Sequence, residues 1–274
     1  MNPLAEPASM TGVEIADGRH CLAWALPGDG TCALAARRLT TQALRAMRLP
    51  DDLVDDAVLA VGELAANVYR HVLGAPGDRP RRDIATELWL YRRLGGPHGQ
   101  IVCKVFDAQR QWSHHRGPRS DDTGDDLQES GRGLLLVEAI SSEWGRHPTR
   151  SRVGWSIPGK AVWFALPLPP ALAIAHPAAD LSPANAAHRL RSALHDRGIT
   201  NVIHRDTGDQ SVLSVRHGLT VWCRGEHFTW TIDGDRTSRP FDDLTDVAEQ
   251  LVRLHEEMAD HRRPPAYGWS RSDE

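Results

Sequence analysis

Three side chains in one stretch have the types and spacing for phosphate chemistry. Glu63, Asn67 and His71 follow one another at four-residue steps within residues 51–74, DDLVDDAVLAVGELAANVYRHVLG. If the stretch is helical, that step puts a carboxylate, a carboxamide and an imidazole on one stripe. Such a line can face a metal-bound polyphosphate. Glu63 can orient or deprotonate a nucleophile, and the Asn67 oxygen is a hard ligand suited to magnesium. The same residues would equally serve as the solvated face of an ordinary helix, so the stripe alone selects neither reading.

The stretch itself has the period of an amphipathic helix, with Leu53, Ala57, Val61, Leu64, Val68 and Val72 recurring every three or four positions. Pro50, Asp51 and Asp52 sit where a helix starts, and Gly74 where one stops. A second candidate lies downstream in Ser130-Gly131-Arg132-Gly133-Leu134, two glycines opening an apolar run. Glycines permit close backbone approach, and the free amides of a helix N-terminus favour phosphate. A short Gly-x-Gly is common by chance, so a plain flexible turn into a helix fits it as well. Between the two candidates, residues 84–90 and 100–106 are apolar runs separated by a Gly/Pro turn and read as a β-hairpin ending at Asp107. Residues 108–130 are polar and aperiodic, and so long a segment inside a domain is usually functional or disordered.

Around these pieces the remaining elements fall into place. Residues 20–26 read as a strand, and residues 31–47 as a helix through Ala33, Ala36, Leu39, Ala43 and Met47. Two strands near residues 144–150 and 161–166 finish the domain. The 274-residue chain is 41% hydrophobic and 25% charged, enough to bury a core. A net charge of −4 gives no general attraction for nucleic acid or an anionic membrane. No apolar run approaches the roughly 20 residues of a membrane span. The four cysteines form no CxxC pair, so packed, reduced thiols in a cytoplasmic protein are expected.

Residues 170–180 form a Pro/Ala-rich linker. Beyond it, Ser182-Pro183 opens a helix, residues 212–216, 219–224 and 227–232 alternate as three strands, and residues 242–258 form a last helix. Trp222 and Trp230 are expected in the core of that small sheet. His255-Glu256 followed by His261 lacks the spacing of a zinc helix, which leaves a solvated helix end. Residues 1–18 and 263–274 read as a flexible and a disordered tail.

Taken in order, Glu63-Leu64-x-x-Asn67-x-x-x-His71, a strand ending in Asp107, a long loop, Glu129-Ser130-Gly131-Arg132-Gly133-Leu134 and Gly159-Lys160-Ala161-Val162-Trp163-Phe164 form one pattern. It resembles the histidine-kinase-like ATPase domain of the anti-sigma-factor serine/threonine kinases, in the superfamily shared with gyrase and sensor kinases, over about residues 19–169. The resemblance implies an α+β fold, a two-layer α/β sandwich with a mixed sheet and helices on one face, followed here by a small αβββα domain at residues 181–262. It implies ATP and Mg2+ as cofactors, Glu63 as the catalytic carboxylate and Asn67 as the magnesium ligand. It further implies Asp107 as partner of the adenine amino group and Gly131, Arg132 and Gly133, with Leu134, as the phosphate-side turn. His71 would line the site, and residues 108–130 would be a mobile lid.

Two departures shape the functional expectation. The family's Asp-x-Gly-x-Gly becomes Asp107-Ala108-Gln109-Arg110-Gln111, and Ala161 stands where a hydroxyl residue is common. Nucleotide binding survives this comparison better than phosphoryl transfer. Three readings stay open: a kinase acting on an antagonist protein while sequestering a sigma factor, a binding module without chemistry, and an ATPase driving a conformational change. The expected partners are ATP and a protein such as a sigma factor or an anti-anti-sigma antagonist, with a homodimer left open.

Overall fold

The computed structural model describes residues 21–70, 85–94, 96–110, 126–154, 156–173 and 181–260. His71, both tails, most of the linker and residues 111–125 of the expected lid lie outside the described residues. So does the expected helix end at Gly74. Among the described residues no helix is long and apolar enough to cross a membrane.

The chain begins with strand β1 (Cys21–Leu26) and two helices, α1 (Cys32–Ala46) and α2 (Asp51–Val68). A hairpin follows, β2 (Thr86–Arg93) and β3 (Gln100–Asp107), then α3 (Asp126–Ile140), β4 (Glu143–Arg150) and β5 (Pro158–Pro167). The sheet order is β1-β2-β3-β5-β4, with β5 slotted between β3 and β4. Every neighbouring pair is antiparallel, so the expected mixed sheet is corrected to an antiparallel one. β3 and β4 do run the same way, because both are antiparallel to β5.

Helices form where the apolar period says they should. Pro50 precedes α2 with Asp51 and Asp52 in its first turn, and Ala57, Val61, Leu64 and Val68 bury one face. α1 buries Cys32, Ala36, Leu39, Ala43 and Leu44 beside it. Both pack on the sheet face made by Leu88, Leu90, Ile101, Cys103, Val105, Phe164 and Leu166. Fully burying each such side chain contributes roughly 1.5–3 kcal/mol.

Alternate residues of the same strands, Trp89, Tyr91, Val102, Phe106 and Ala165, form a second buried cluster on the opposite face. β3 is buried along its whole length, and a strand covered on both sides reads as a continuous apolar run. The expected sandwich with helices on one face is present, and a further layer covers its other face.

That layer comes from the C-terminal module. It contains α4 (Pro183–Asp196), capped by the Ser182 hydroxyl accepting from the Asn185 N–H at 3.3 Å. Strands β6 (Ile203–Asp206), β7 (Gln210–Arg216), β8 (Leu219–Arg224), β9 (His227–Ile232) and β10 (Asp235–Pro240) form a five-stranded meander. Helix α5 (Leu244–Asp260) closes it. Three strands were expected and five are present. β6 and β10 are edge strands of polar sequence, IHRD and DRTSRP, without the alternation that marks a half-buried strand. Trp230 is buried as expected, but Trp222 points to the outer face and is 46% exposed. All four cysteines are free and buried.

Candidate functional site

Three side chains converge at the end of β3. Asp107 is buried, and its Oδ1 accepts from the backbone N–H of Gln109 at 3.0 Å. Lys160, its cross-strand partner on β5, brings Nζ to 3.3 Å from the same oxygen and donates to the Gln109 carbonyl at 2.8 Å. Burial pushes the Asp107 carboxyl up to about 6, with Lys160 and the Gln109 amide pulling the other way. Its other cross-strand partner is Thr86, whose buried Oγ1 has no hydrogen-bond partner among the described residues. Paired residues point to one side of a sheet, so Asp107, Lys160 and Thr86 all face the helical layer. Gly159 makes this approach possible: a Cβ there would stand 2.3 Å from the Asp107 carbonyl oxygen and 2.5 Å from the Phe106 ring.

The α2 residues expected to meet the polyphosphate lie in the helical layer. Glu63 and Asn67 project from the partly exposed stripe of α2, and Arg70 joins them one turn further on. The Arg70 guanidinium donates to Asn67 Oδ1 at 2.8 Å and stands 3.9 Å from Glu63 Oε2. The oxygen expected to hold magnesium therefore already carries a cationic partner. Glu63 rests against α3, where a Cβ on Gly133 would come within 2.8 Å of its Oε2. That glycine makes room for the carboxylate.

The glycines do not open α3. The helix starts at Asp126, so Gly131, Arg132 and Gly133 lie in its second turn and not at a terminal turn with free amides. This corrects the expected position of the helix entry. Leu134 packs partly buried against the helical core, a packing position.

The opposite sheet face carries charge that sequence reading missed. Lys104 in β3 reaches Glu249 of α5 at 3.2 Å, and the same carboxylate takes Arg152 at 2.7 Å and Arg197 at the end of α4. Tyr91 donates to Asp246 at 3.1 Å. Glu256 bridges Arg150 at 2.7 Å and Arg110 at 2.8 Å, and Asp260 holds Arg110 as well. Glu256 is thus buried in ion pairs, correcting the expected solvated helix end. His147 beside Lys104 is pushed down to about 3 by burial and then by that ammonium. Among the described residues no group of three or more His, Cys, Asp or Glu could hold a metal ion. A magnesium ion needs only one or two protein oxygens when phosphates complete its shell, so the Glu63–Asn67 stripe stays compatible with one.

Some of the missed residues carry a local signal. Lys160 stands within the recognised Gly159–Phe164 run, and Arg70 at three residues past Asn67 is on the same helix stripe. Nothing local marked Lys104, Glu249 or Glu256 as partners, since Lys104 and Glu249 are 145 positions apart and Arg150 and Glu256 are 106 apart.

Residues 29–156 match the family model described as the histidine kinase-like ATPase domain. The matched span takes in α1, α2, the hairpin, α3 and β4, with Glu63, Asn67 and Asp107 inside it. No curated protein matches the chain.

Proposed function

We propose, taking residues 29–156 as a histidine kinase-like ATPase domain, that this chain is an ATP-binding regulatory protein. The observation that carries the reading is the end of β3. A buried carboxylate, a lysine holding it and an unpartnered threonine hydroxyl share one side of the sheet. Adenine presents an amino donor beside a ring-nitrogen acceptor, and Asp107 with the Thr86 hydroxyl offers the complementary pair. Asn67 and Glu63 on α2 serve the other end, Asn67 giving a hard oxygen to magnesium. When bound, that ion neutralises the phosphates and polarises the one being transferred. Arg70 adds a cation that pairs with phosphate oxygens once it leaves Asn67.

The finer reading we propose is the anti-sigma-factor serine/threonine kinase type, with Glu63 taking the proton of a serine hydroxyl on an antagonist protein. A sigma factor would be the sequestered partner. A binding module without chemistry is the second reading. What favours it is the engagement of Asn67 Oδ1 by Arg70, together with Gln109 and Gln111 in place of the family's glycines. Calorimetric titration with ATP and magnesium, set beside GTP, tests nucleotide binding. Tight binding of ATP with little of GTP is expected. No heat with either nucleotide would sink the kinase reading and leave a binding module whose nucleotide site is degenerate.

A further inference from the structure

The segment after Asp107 lacks the glycines that would let it turn sharply, yet it is held firmly, and the hold comes from the other module. Arg110 stands three residues beyond Asp107. Its Nη2 donates to Glu256 Oε2 and to Asp260 Oδ1, each at 2.8 Å. Glu256 is itself fixed: its side chain is only 2% exposed, and its second oxygen accepts from Arg150 Nε at 2.7 Å. Arg150 ends β4 and also reaches the carbonyls of Arg197 and Gly198 beyond α4, each at 3.4 Å. One α5 carboxylate therefore ties the Asp107 turn to β4 and to the C-terminal module. Gln109, lying between, has its N–H on Asp107 and its carbonyl on Lys160.

We infer that Glu256, acting through Arg110, is a positioning residue for the base end of the nucleotide site, so that docking of the C-terminal module and nucleotide binding are coupled. The inference rests on the reading of Asp107 as the adenine partner. Backbone contacts at Gln109 set where the Asp107 carboxylate points. A charge-assisted pair at the next residue fixes that backbone in a chain with no glycine turn to do so. Coupling of this kind is reciprocal: if the brace favours nucleotide, nucleotide favours the brace.

The coupling has a reporter. Cys21 lies in the buried cluster on the face covered by α5, and Arg152, Glu249, Arg197 and Lys104 all bear on its thiol. Alkylation of Cys21 by iodoacetamide, followed by peptide mapping, therefore tracks loosening of the module in the full chain. The experiment compares wild type, Arg110→Ala and Arg110→Lys by ATP–magnesium calorimetry and by Cys21 alkylation with and without ATP. Arg110 is partly exposed, and its removal leaves Glu256 paired with Arg150, so the fold tolerates the change. The expected result is about tenfold weaker ATP binding in Arg110→Ala, with substantial recovery in Arg110→Lys. ATP should slow Cys21 alkylation in wild type and not in Arg110→Ala. Unchanged ATP affinity in Arg110→Ala overturns the brace while leaving the ATP reading intact. Absence of ATP binding in wild type overturns the ATP reading, and the brace with it.

Discussion

The Lys104 ammonium in β3 stands 3.2 Å from the Glu249 carboxylate in α5, and both side chains are buried where the sheet meets that helix. Burial alone would raise the Glu249 pKa. Arg197, Lys104 and Arg152 outweigh it and hold the carboxyl well below the ordinary range. Three buried cations share that one carboxylate, so their burial is tolerable only while it stays with them. Glu249→Gln should therefore destabilise the whole chain by about 3–5 kcal/mol, because three buried cations lose their counter-charge. Denaturant unfolding followed by tryptophan fluorescence measures it. A loss within a few tenths of a kcal/mol would mean that the network is wet and the module loosely attached.

Gly159→Ala tests the close approach of β5 to the end of β3. An added methyl would meet the Asp107 carbonyl and the Phe106 ring well inside contact distance. Either β5 shifts or Phe106 leaves its place against Trp89, whose ring it stacks on at 5.5 Å. Overpacking of this kind typically costs about 1–3 kcal/mol. The melting temperature should fall and ATP affinity should fall with it, since Lys160 and Asp107 lose their register. A variant as stable as wild type would show that the strand ends yield easily.

The helical layer was legible because its period is local: Ala57, Val61, Leu64 and Val68 repeat on one helix, and the hairpin runs flank a Gly/Pro turn. The second layer was not. Glu249 and Glu256 lie on a helix that also carries Asp246, Glu257 and Asp260, and such a row reads as a solvated face until the sheet that covers it is known. Lys104 sat unremarked inside an apolar run. Trp222 was misplaced because strand alternation gives two faces but not which one is covered. The start of α3 was misread because glycines commonly stand at helix ends, whereas Gly133 here lies within the helix and accommodates Glu63. Glu63, Asn67 and Asp107 were chosen by residue type and order. Of their neighbours, Arg70 follows from helix spacing and Lys160 stands in a recognised run, whereas Thr86 emerges only from the cross-strand pairing with Asp107.

ATP affinity should depend on pH through Asp107. Burial raises its carboxyl to about 6 from an ordinary 3.8, and only the ionised form accepts from an adenine amino group through either oxygen. Affinity should weaken as pH falls through 6 and level off above 7, with Asp107→Asn weak and flat over that window. The stability sign runs the other way. A carboxyl whose folded pKa is raised contributes stability that is fully present below its unfolded pKa and is lost as pH rises through about 6, roughly 3 kcal/mol at most. Calorimetric ATP titration between about pH 5 and about pH 8 follows the affinity, and denaturant unfolding between about pH 3 and about pH 7 follows the stability. Affinity rising as pH falls would contradict the role given to Asp107.

Arg70→Ala should change the metal requirement. In the structure Arg70 holds Asn67 Oδ1 at 2.8 Å, so a metal ion must displace it. Removing the guanidinium should lower the magnesium concentration needed for half-maximal ATP binding, whereas Asn67→Ala should abolish the magnesium dependence. Fluorescent-nucleotide titrations at fixed ATP analogue and varied magnesium read both effects. If Arg70→Ala raises the magnesium requirement, the arginine helps to assemble the site instead of competing for it.

Glu63→Gln decides between the two functional readings. The Glu63 side chain is 28% exposed, lies beside Gly133 and has Arg70 at 3.9 Å, too far for a direct hydrogen bond. Gln keeps the shape and the contact with α3 but cannot take a proton. If Glu63 accepts the serine proton, the substitution should leave ATP affinity within about twofold and lower phosphoryl transfer by about 100-fold or more. Transfer is followed with labelled ATP and candidate antagonist proteins, beside hydrolysis without them, because loss of transfer alone separates a kinase from an ATPase. If wild type binds ATP and transfers nothing to any candidate, and Glu63→Gln behaves identically, the chain acts by binding. Asn67 and Asp107 would then be retained for ATP-dependent capture of a partner, and Glu63 would matter only as the side chain that Gly133 accommodates.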